Sequence, residues 1–146
     1  MGTRSLTFVY DGETPIINMY RQYDGYPTGH GAELAEFLAQ FEMGNGIPVG
    51  KVFEKRYANG MGCLAAQLVS NFKGNEAGGF YLYPTSAVEC GQDYEYHVYN
   101  KDKELRIAIT NRGCNLFGLT TSDVNESIFE GNLAEFIEFC TEKETA

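Results

Sequence analysis

The sequence predicts an α+β fold: a mostly antiparallel β-sheet with two to three amphipathic helices packed on one face. Three observations predict it. Runs rich in β-branched and aromatic residues come in pairs separated by short turns. Apolar stripes recur three times at helical spacing. Hairpins outnumber the long crossovers that a parallel sheet needs.

The elements follow in order. "RSLTFVYD" and "TPIINMYRQY" flank Gly12 and Glu13 and read as a hairpin over 4–23. After the glycine-rich "YRQYDGYPTGHG", Leu34, Phe37, Leu38 and Phe41 recur at i, i+3, i+4 and i+7 and mark a first helix. Glu33 and Glu36 lie in its opening turns, where the helix dipole favours acids. "MGNGIPVG" ends it. Met61, Leu64, Ala65, Leu68 and Phe72 give a second stripe, closed by "KGNEAGG". The sheet resumes with "GFYLYP", "DYEYHVYN" and "ELRIAITN", the last two joined by a charged turn at 101–103. Leu133, Phe136, Ile137 and Cys140 mark a third helix, giving the order β-β-α-α-β-β-β-α. The likeness of "GHGAELAEFL" to "EGNLAEFIEF" follows from one amphipathic recipe used twice and implies no repeat.

With 146 residues, 43% of them hydrophobic, the chain can bury one core, so a single domain over 1–146 is expected. A formal charge of −9 repels polyanions and excludes duplex nucleic acid as a partner, yet leaves room for a small anion where a few arginines converge. Cys63, Cys90, Cys114 and Cys140 lack the short spacing of zinc or redox motifs and read as free structural thiols of a reducing compartment. "MGTRSLTFVYDGE" has no continuous apolar segment, and the longest apolar runs are too short to span a bilayer. A soluble, intracellular protein without a membrane partner is expected. The chain carries no HExxH, EF-hand loop, clustered aspartates or Gly-x-Ser-x-Gly, so neither metal, cofactor nor nucleophilic catalysis is expected.

The stretch 20–31 carries the densest chemistry. Gly25, Gly29 and Gly31 stand just before a helix, where unpaired N–H groups attract anions, and Arg21 adds a guanidinium fork for phosphate. The spacing fits neither the dinucleotide fingerprint nor a P-loop. An irregular strand-to-helix connection, with Tyr23 and Tyr26 packed on the core, stands level with the anion site. His97 lies on a strand, on the same face as Glu95 and Tyr99, and reads as a hydrogen-bonded sheet residue. His30 reads as the more exposed of the two histidines. Neither is followed two residues later by Ser or Thr, so the paired His-x-Ser/Thr phosphoesterase signature is absent. In "ELRIAITNRG", Leu105, Ile107 and Ile109 face one side, with Arg106, Thr110 and Arg112 on the other. Arginines beside aromatic strands suit a pyrophosphate joined to a purine, and an ordinary solvated face is the alternative. Phe72, Tyr83, Tyr94, Asn111 and Arg112 are the candidates for a nucleotide pocket.

The block "MYRQYDGYPTGHGAELAEFL", with a hairpin before it and an aromatic sheet after it, resembles the first-described family of phage Thoeris anti-defence proteins. The resemblance covers most of the chain in element order. It implies an α+β protein that assembles as a dimer or higher homo-oligomer in the cytoplasm of the infected bacterial host. There it would sequester cyclic ADP-ribose isomers made by TIR-domain enzymes without degrading them. Some members also hold cyclic oligonucleotides of the CBASS type at a separate site, so such a ligand is a further expectation. Arg21, Asp24, Gly25, Gly29, His30 and Gly31 match the family block and carry over as a ligand or assembly loop. The implied protein is not an enzyme. Two other readings stay open: a cyclic-nucleotide hydrolase using His30 with Asp24 or Arg21, and an oligomeric interaction domain with no small ligand.

Overall fold

The computed structural model describes residues 2–44, 46, 56–112 and 126–145, the last four by backbone alone. The first β-rich runs pair as expected. Strands β1 (Ser5–Asp11) and β2 (Thr14–Arg21) are antiparallel, and Gly12 takes the positive φ (+63°) that the tight turn between them requires. A single wide helical turn, Pro27–Gly31, then leads straight into α1 (Ala32–Leu38).

Helix α1 is shorter than its apolar stripe predicts. The Gln40 N–H closes onto the Phe37 carbonyl at 3.2 Å, a tightened last turn, and Phe41 opens strand β3 (Phe41–Gly44). Phe41 is nonetheless buried, its ring centroid 4.8 Å from that of Phe37. The i+7 position reaches the same apolar pocket by a turn and a strand instead of a second helical turn. Strand β3 pairs in parallel with β4 (Arg56–Asn59), a small second sheet that the expected element order lacks.

Helix α2 (Gly60–Lys73) buries Met61, Leu64, Ala65 and Leu68, as its stripe predicts. Strands β5 (Phe80–Tyr83), β6 (Tyr94–Lys101) and β7 (Glu104–Asn111) follow, and β6 and β7 turn at Asp102 and Lys103, both at positive φ. Strand β8 (Glu126–Asn132) is a further addition. Its sequence, ESIFEGN, lacks clean alternation, and its register with β7 shifts between Ile109 and Thr110. Helix α3 (Leu133–Thr145) buries Phe136 and Cys140 and opens with a reciprocal cap, Asn132 Oδ1 accepting from the Glu135 N–H and Glu135 Oε1 from the Asn132 N–H.

The main sheet is six-stranded, in the order β5-β2-β1-β6-β7-β8, and its β1–β6 pair is parallel while its other pairs are antiparallel. Because side chains alternate along each strand, the sheet has two unlike faces. Val9, Met19, Tyr96, Val98, Leu105, Ile107 and Ile109 point to one face and form a single apolar cluster with residues of all three helices. Leu6, Phe8 and Tyr20 point to the other, where Tyr10, Tyr83 and Cys90 cover them. Segment 84–93 runs over that second face as a strap: the Asn18 side-chain amide donates to the Pro84 and Ala87 carbonyls at 3.1 and 2.8 Å.

Cys63, Cys90 and Cys140 are free thiols, and Cys114 lies outside the described residues. Burial, then the carboxylates of Glu89 and Glu95, push the Cys90 thiol up from its ordinary pKa. No described helix is long and apolar enough to cross a membrane.

Candidate functional site

The parallel β1–β6 pairing gathers distant residues into one transverse row. Phe80, Arg21, Ser5, Tyr94, Asn111 and Glu126 lie side by side across the six strands. Three residues expected in a ligand site, Arg21, Tyr94 and Asn111, therefore share one end of the sheet. Phe72 joins them from α2: its ring lies 5.6 Å from Phe80 and 5.1 Å from His30. Tyr83 and Arg112 are separated from this group by the sheet. Tyr83 stacks on Tyr20 at 5.1 Å on the strap face, and Arg112 is locked beneath the strap.

At the row's centre a polar chain runs from the sheet to the surface. Ser5 and Thr7 interrupt the apolar lining of the helical side of β1, and both are fully buried. Thr7 Oγ1 meets His30 Nε2 at 2.7 Å, His30 Nδ1 meets Arg21 at 3.2 Å, and Arg21 meets Glu33 at 2.9 Å. A guanidinium only donates, so His30 Nδ1 is the acceptor and the neutral ring carries its proton on Nε2, donating to Thr7. Burial first, and then the Arg21 charge, push this imidazole down from its ordinary 6.5 to about 3. The expectation of an exposed His30 is thus reversed: it is fully buried, edge-on to Tyr96 at 4.9 Å. The expectation that Tyr23 and Tyr26 pack on the core is reversed too, since both are exposed. The loop's inward anchor is His30, while the rings of Tyr23 and Tyr26 face solvent.

The glycines answer to packing. A Cβ on Gly25 would stand 2.9 Å from the Ser5 backbone nitrogen, and one on Gly29 2.5 Å from the Asp24 carbonyl oxygen. A Cβ on Gly31 would be tight only against Cys140 Sγ, at 3.0 Å, with the Tyr96 ring at an ordinary 3.5 Å. Their N–H groups are engaged within the chain: Gly25 donates to Thr3, and Gly29 and Gly31 donate to Tyr26. Asp24 sits at φ +61°, its carbonyl accepting from the His30 N–H at 2.7 Å and its carboxylate from Tyr26 Oη at 3.3 Å. Of the two readings of this stretch, an open anion nest and an irregular connection, the three glycine N–H groups favour the connection, since each is taken by a carbonyl of the chain itself.

A groove of about 260 Å³ opens beside the Arg21–Glu33 pair, lined by Glu33, Glu36, Phe37, Gln40, Asn71, Phe72 and Phe80, and a cavity of about 500 Å³ opens on the other side of Glu33, against Gly29, Ala32 and Ile137. Arg21 packs behind the groove, 5.0 Å above the Phe80 ring, with Nε donating to the Tyr23 carbonyl at 2.6 Å. Aromatic rings and two exposed amide side chains line the groove beside the carboxylates of Glu33 and Glu36, and the Arg21 guanidinium stands behind Glu33. Rings, amides and a guanidinium are contacts that a nucleotide uses. Of the residues lining the groove only Phe72 was a candidate; Glu33, Glu36, Phe37, Gln40, Asn71 and Phe80 went unrecognised as site residues. The one sequence signal for the cluster is the pair of small polar residues, Ser5 and Thr7, in an apolar strand.

A larger cavity, about 580 Å³, lies at the opposite end of the sheet among Asp11, Gly12, Asn59, Gly60, Asn100 and Lys103 and their neighbours. None of the expected site residues lines it.

On the strap face, Arg112 bonds Glu95 at 2.6 Å and Glu89 at 2.8 Å, and Gln92 adds a bond to Glu95 at 2.7 Å. Burial alone would raise the Glu95 carboxyl, but hydrogen bonds from His97 and Gln92 and the Arg112 charge outweigh it and hold the carboxyl below its ordinary value. His97 bonds Tyr10 at 2.7 Å and Glu95 at 3.3 Å and stacks on Phe8, the sheet role its sequence position predicts. Among the described residues no group of three or more His, Cys, Asp or Glu side chains could hold a metal ion. Searches against protein-family models, curated proteins and solved structures return no match to this chain.

Proposed function

We propose that the chain binds and sequesters a small cyclic nucleotide of the cyclic ADP-ribose type without turning it over. In the biology that the resemblance implies, it would do so as a homo-oligomer in the cytoplasm of an infected bacterial host, blunting TIR-based (Thoeris) defence. Cyclic oligonucleotides of the CBASS type are a second ligand class under the same reading. The observation that carries the proposal is the groove whose wall holds Glu33, the partner of Arg21: aromatic rings for a base, amides for ribose hydroxyls and, behind Glu33, a guanidinium for the pyrophosphate. A stacked base contributes roughly 1–3 kcal/mol and a hydrogen bond to a charged group about 1.5–3 kcal/mol. Since each tenfold in affinity takes about 1.4 kcal/mol, a few such contacts reach the tight binding that sequestration needs.

His30 supports retention over hydrolysis. A general base must come within hydrogen-bond reach of a substrate proton, and this ring is buried with both nitrogens engaged. The test is to incubate the pure protein with TIR-derived cyclic ADP-ribose isomers, remove free ligand, denature with heat and identify what is released. Intact nucleotide supports sequestration, a cleaved product supports the hydrolase, and an empty protein supports the interaction domain. A second location for the same activity is favoured by the size of the 580 Å³ cavity, which falls within the roughly 300–1,000 Å³ range of ligand clefts. Replacing Lys103 by Ala abolishes retention if the ligand sits there, and leaves it intact if the ligand sits beside Arg21.

A further inference from the structure

Arg21 and Glu33 form an ion pair with unlike ends. The Arg21 side chain is 11% exposed and is fixed by the Tyr23 carbonyl, the His30 ring and the Phe80 face. The Glu33 side chain is 52% exposed and stands in the groove wall. The cation is anchored and the anion is loose. Apart from Glu33, the guanidinium meets, among the described residues, a carbonyl, an imidazole and a phenyl ring, with the neutral Tyr96 phenol nearby, and none of these neutralises its charge. Arg112 differs, because Glu95, itself 9% exposed, would still neutralise it if Glu89 swung away.

We propose that Glu33 is the resident counter-ion of an oxyanion site. A ligand's phosphate or other two-oxygen anionic group displaces the Glu33 carboxylate from Arg21 Nη2 and takes its place beside Phe80. The inference rests on reading the groove as the nucleotide site, and it adds what gates that site. Exchange is close to neutral energetically, because a half-exposed ion pair contributes little in water and the incoming anion restores the same charge-assisted geometry. The fixed guanidinium needs no rearrangement, which keeps the ordering cost of binding low. An anion without an attached ring gains only the exchange, whereas a nucleotide adds contacts to Phe72 and Phe80.

The probe is inorganic pyrophosphate, titrated calorimetrically into the full chain and into Glu33→Gln, Glu33→Ala and Glu36→Gln. Glu36 lines the same groove but has no ion pair with Arg21 among the described residues, so its replacement removes equal charge without freeing the guanidinium. The dissociation constant is expected to fall about fivefold or more in both Glu33 variants, and by less than half that factor in Glu36→Gln. No gain in the Glu33 variants, an equal gain in Glu36→Gln, or no pyrophosphate binding by any of the four proteins overturns the proposal. Retention of intact nucleotide by the unmodified chain is scored separately. A chain that retains nucleotide while the Glu33 variants gain nothing loses only the exchange. A chain whose Glu33 variants gain but which retains no nucleotide loses only the nucleotide reading.

Discussion

Arg21 and Arg112 lie at the same end of the sheet, on opposite faces, and each pairs with a half-exposed glutamate. Their second partners separate them. Arg112 is clamped by a buried carboxylate, Glu95, that is itself fixed by Gln92 and His97. Arg21 is clamped by a neutral carbonyl and a neutral imidazole. The first arrangement is a closed ion-pair network that ties the strap 84–93 to the sheet. The second is a cation fixed in place with its charge answered from the surface. In a chain of net charge −9, that difference decides which arginine is suited to a phosphate.

The comparison breaks most visibly if Arg112 is removed. Replacing Arg112 by Ala strands the buried Glu95 charge and should cost about 3–5 kcal/mol of unfolding free energy, read by denaturant titration. Arg21→Ala leaves behind no buried charge, only neutral groups and the half-exposed Glu33 carboxylate that water can solvate, and should cost less, about 1–3 kcal/mol, while abolishing nucleotide retention. Equal stability losses would erase the distinction between the two clusters.

A pH measurement sharpens it. His30 titrates near 3 in the folded chain and near 6.5 when unfolded, so below pH 6.5 the unfolded chain takes up the proton first. The His30 contribution is complete well above pH 6.5, begins to fall as pH nears that value and declines further towards 3. Between pH 8 and 5 the chain should lose about 2 kcal/mol that His30→Gln does not lose, measured by chemical denaturation at both values. A parallel loss in the variant would mean that the imidazole is not sealed.

The smallest effect belongs to the strap. Glu89→Gln removes a half-exposed ion pair and should change stability by less than about 1 kcal/mol, with no change in pyrophosphate affinity. A tightening as large as that of Glu33→Gln would show Arg112 to be as exchangeable as Arg21.

Much of the fold was legible in the sequence because it rests on local periodicity. The β1–β2 hairpin, the inward face of α2 and the Phe136–Cys140 face of α3 each follow from spacing alone. Phe41 misleads because burial and not helicity sets the stripe, and a strand can present the same side chain to the same pocket. Strands β3 and β4 are four residues each, too short for an alternation to register. The site was legible only in part. Arg21, Tyr94 and Asn111 share chemistry in sequence and share a row in space, but that row exists only through the non-local β1–β6 pairing. The burial of His30 depends on Thr7 and Tyr96, partners in distant strands, so the GHG triplet alone could not distinguish a sealed strut from a reactive loop.

The most direct test sets the two faces against each other. Phe72→Leu and Tyr83→Leu each remove one ring while keeping an apolar side chain, and each protein is loaded with a cyclic ADP-ribose isomer, freed of excess ligand and denatured. Loss of retained intact nucleotide in Phe72→Leu, with retention unchanged in Tyr83→Leu, is the predicted result. Retention that survives in Phe72→Leu and disappears in Tyr83→Leu would move the ligand to the strap face and contradict the account.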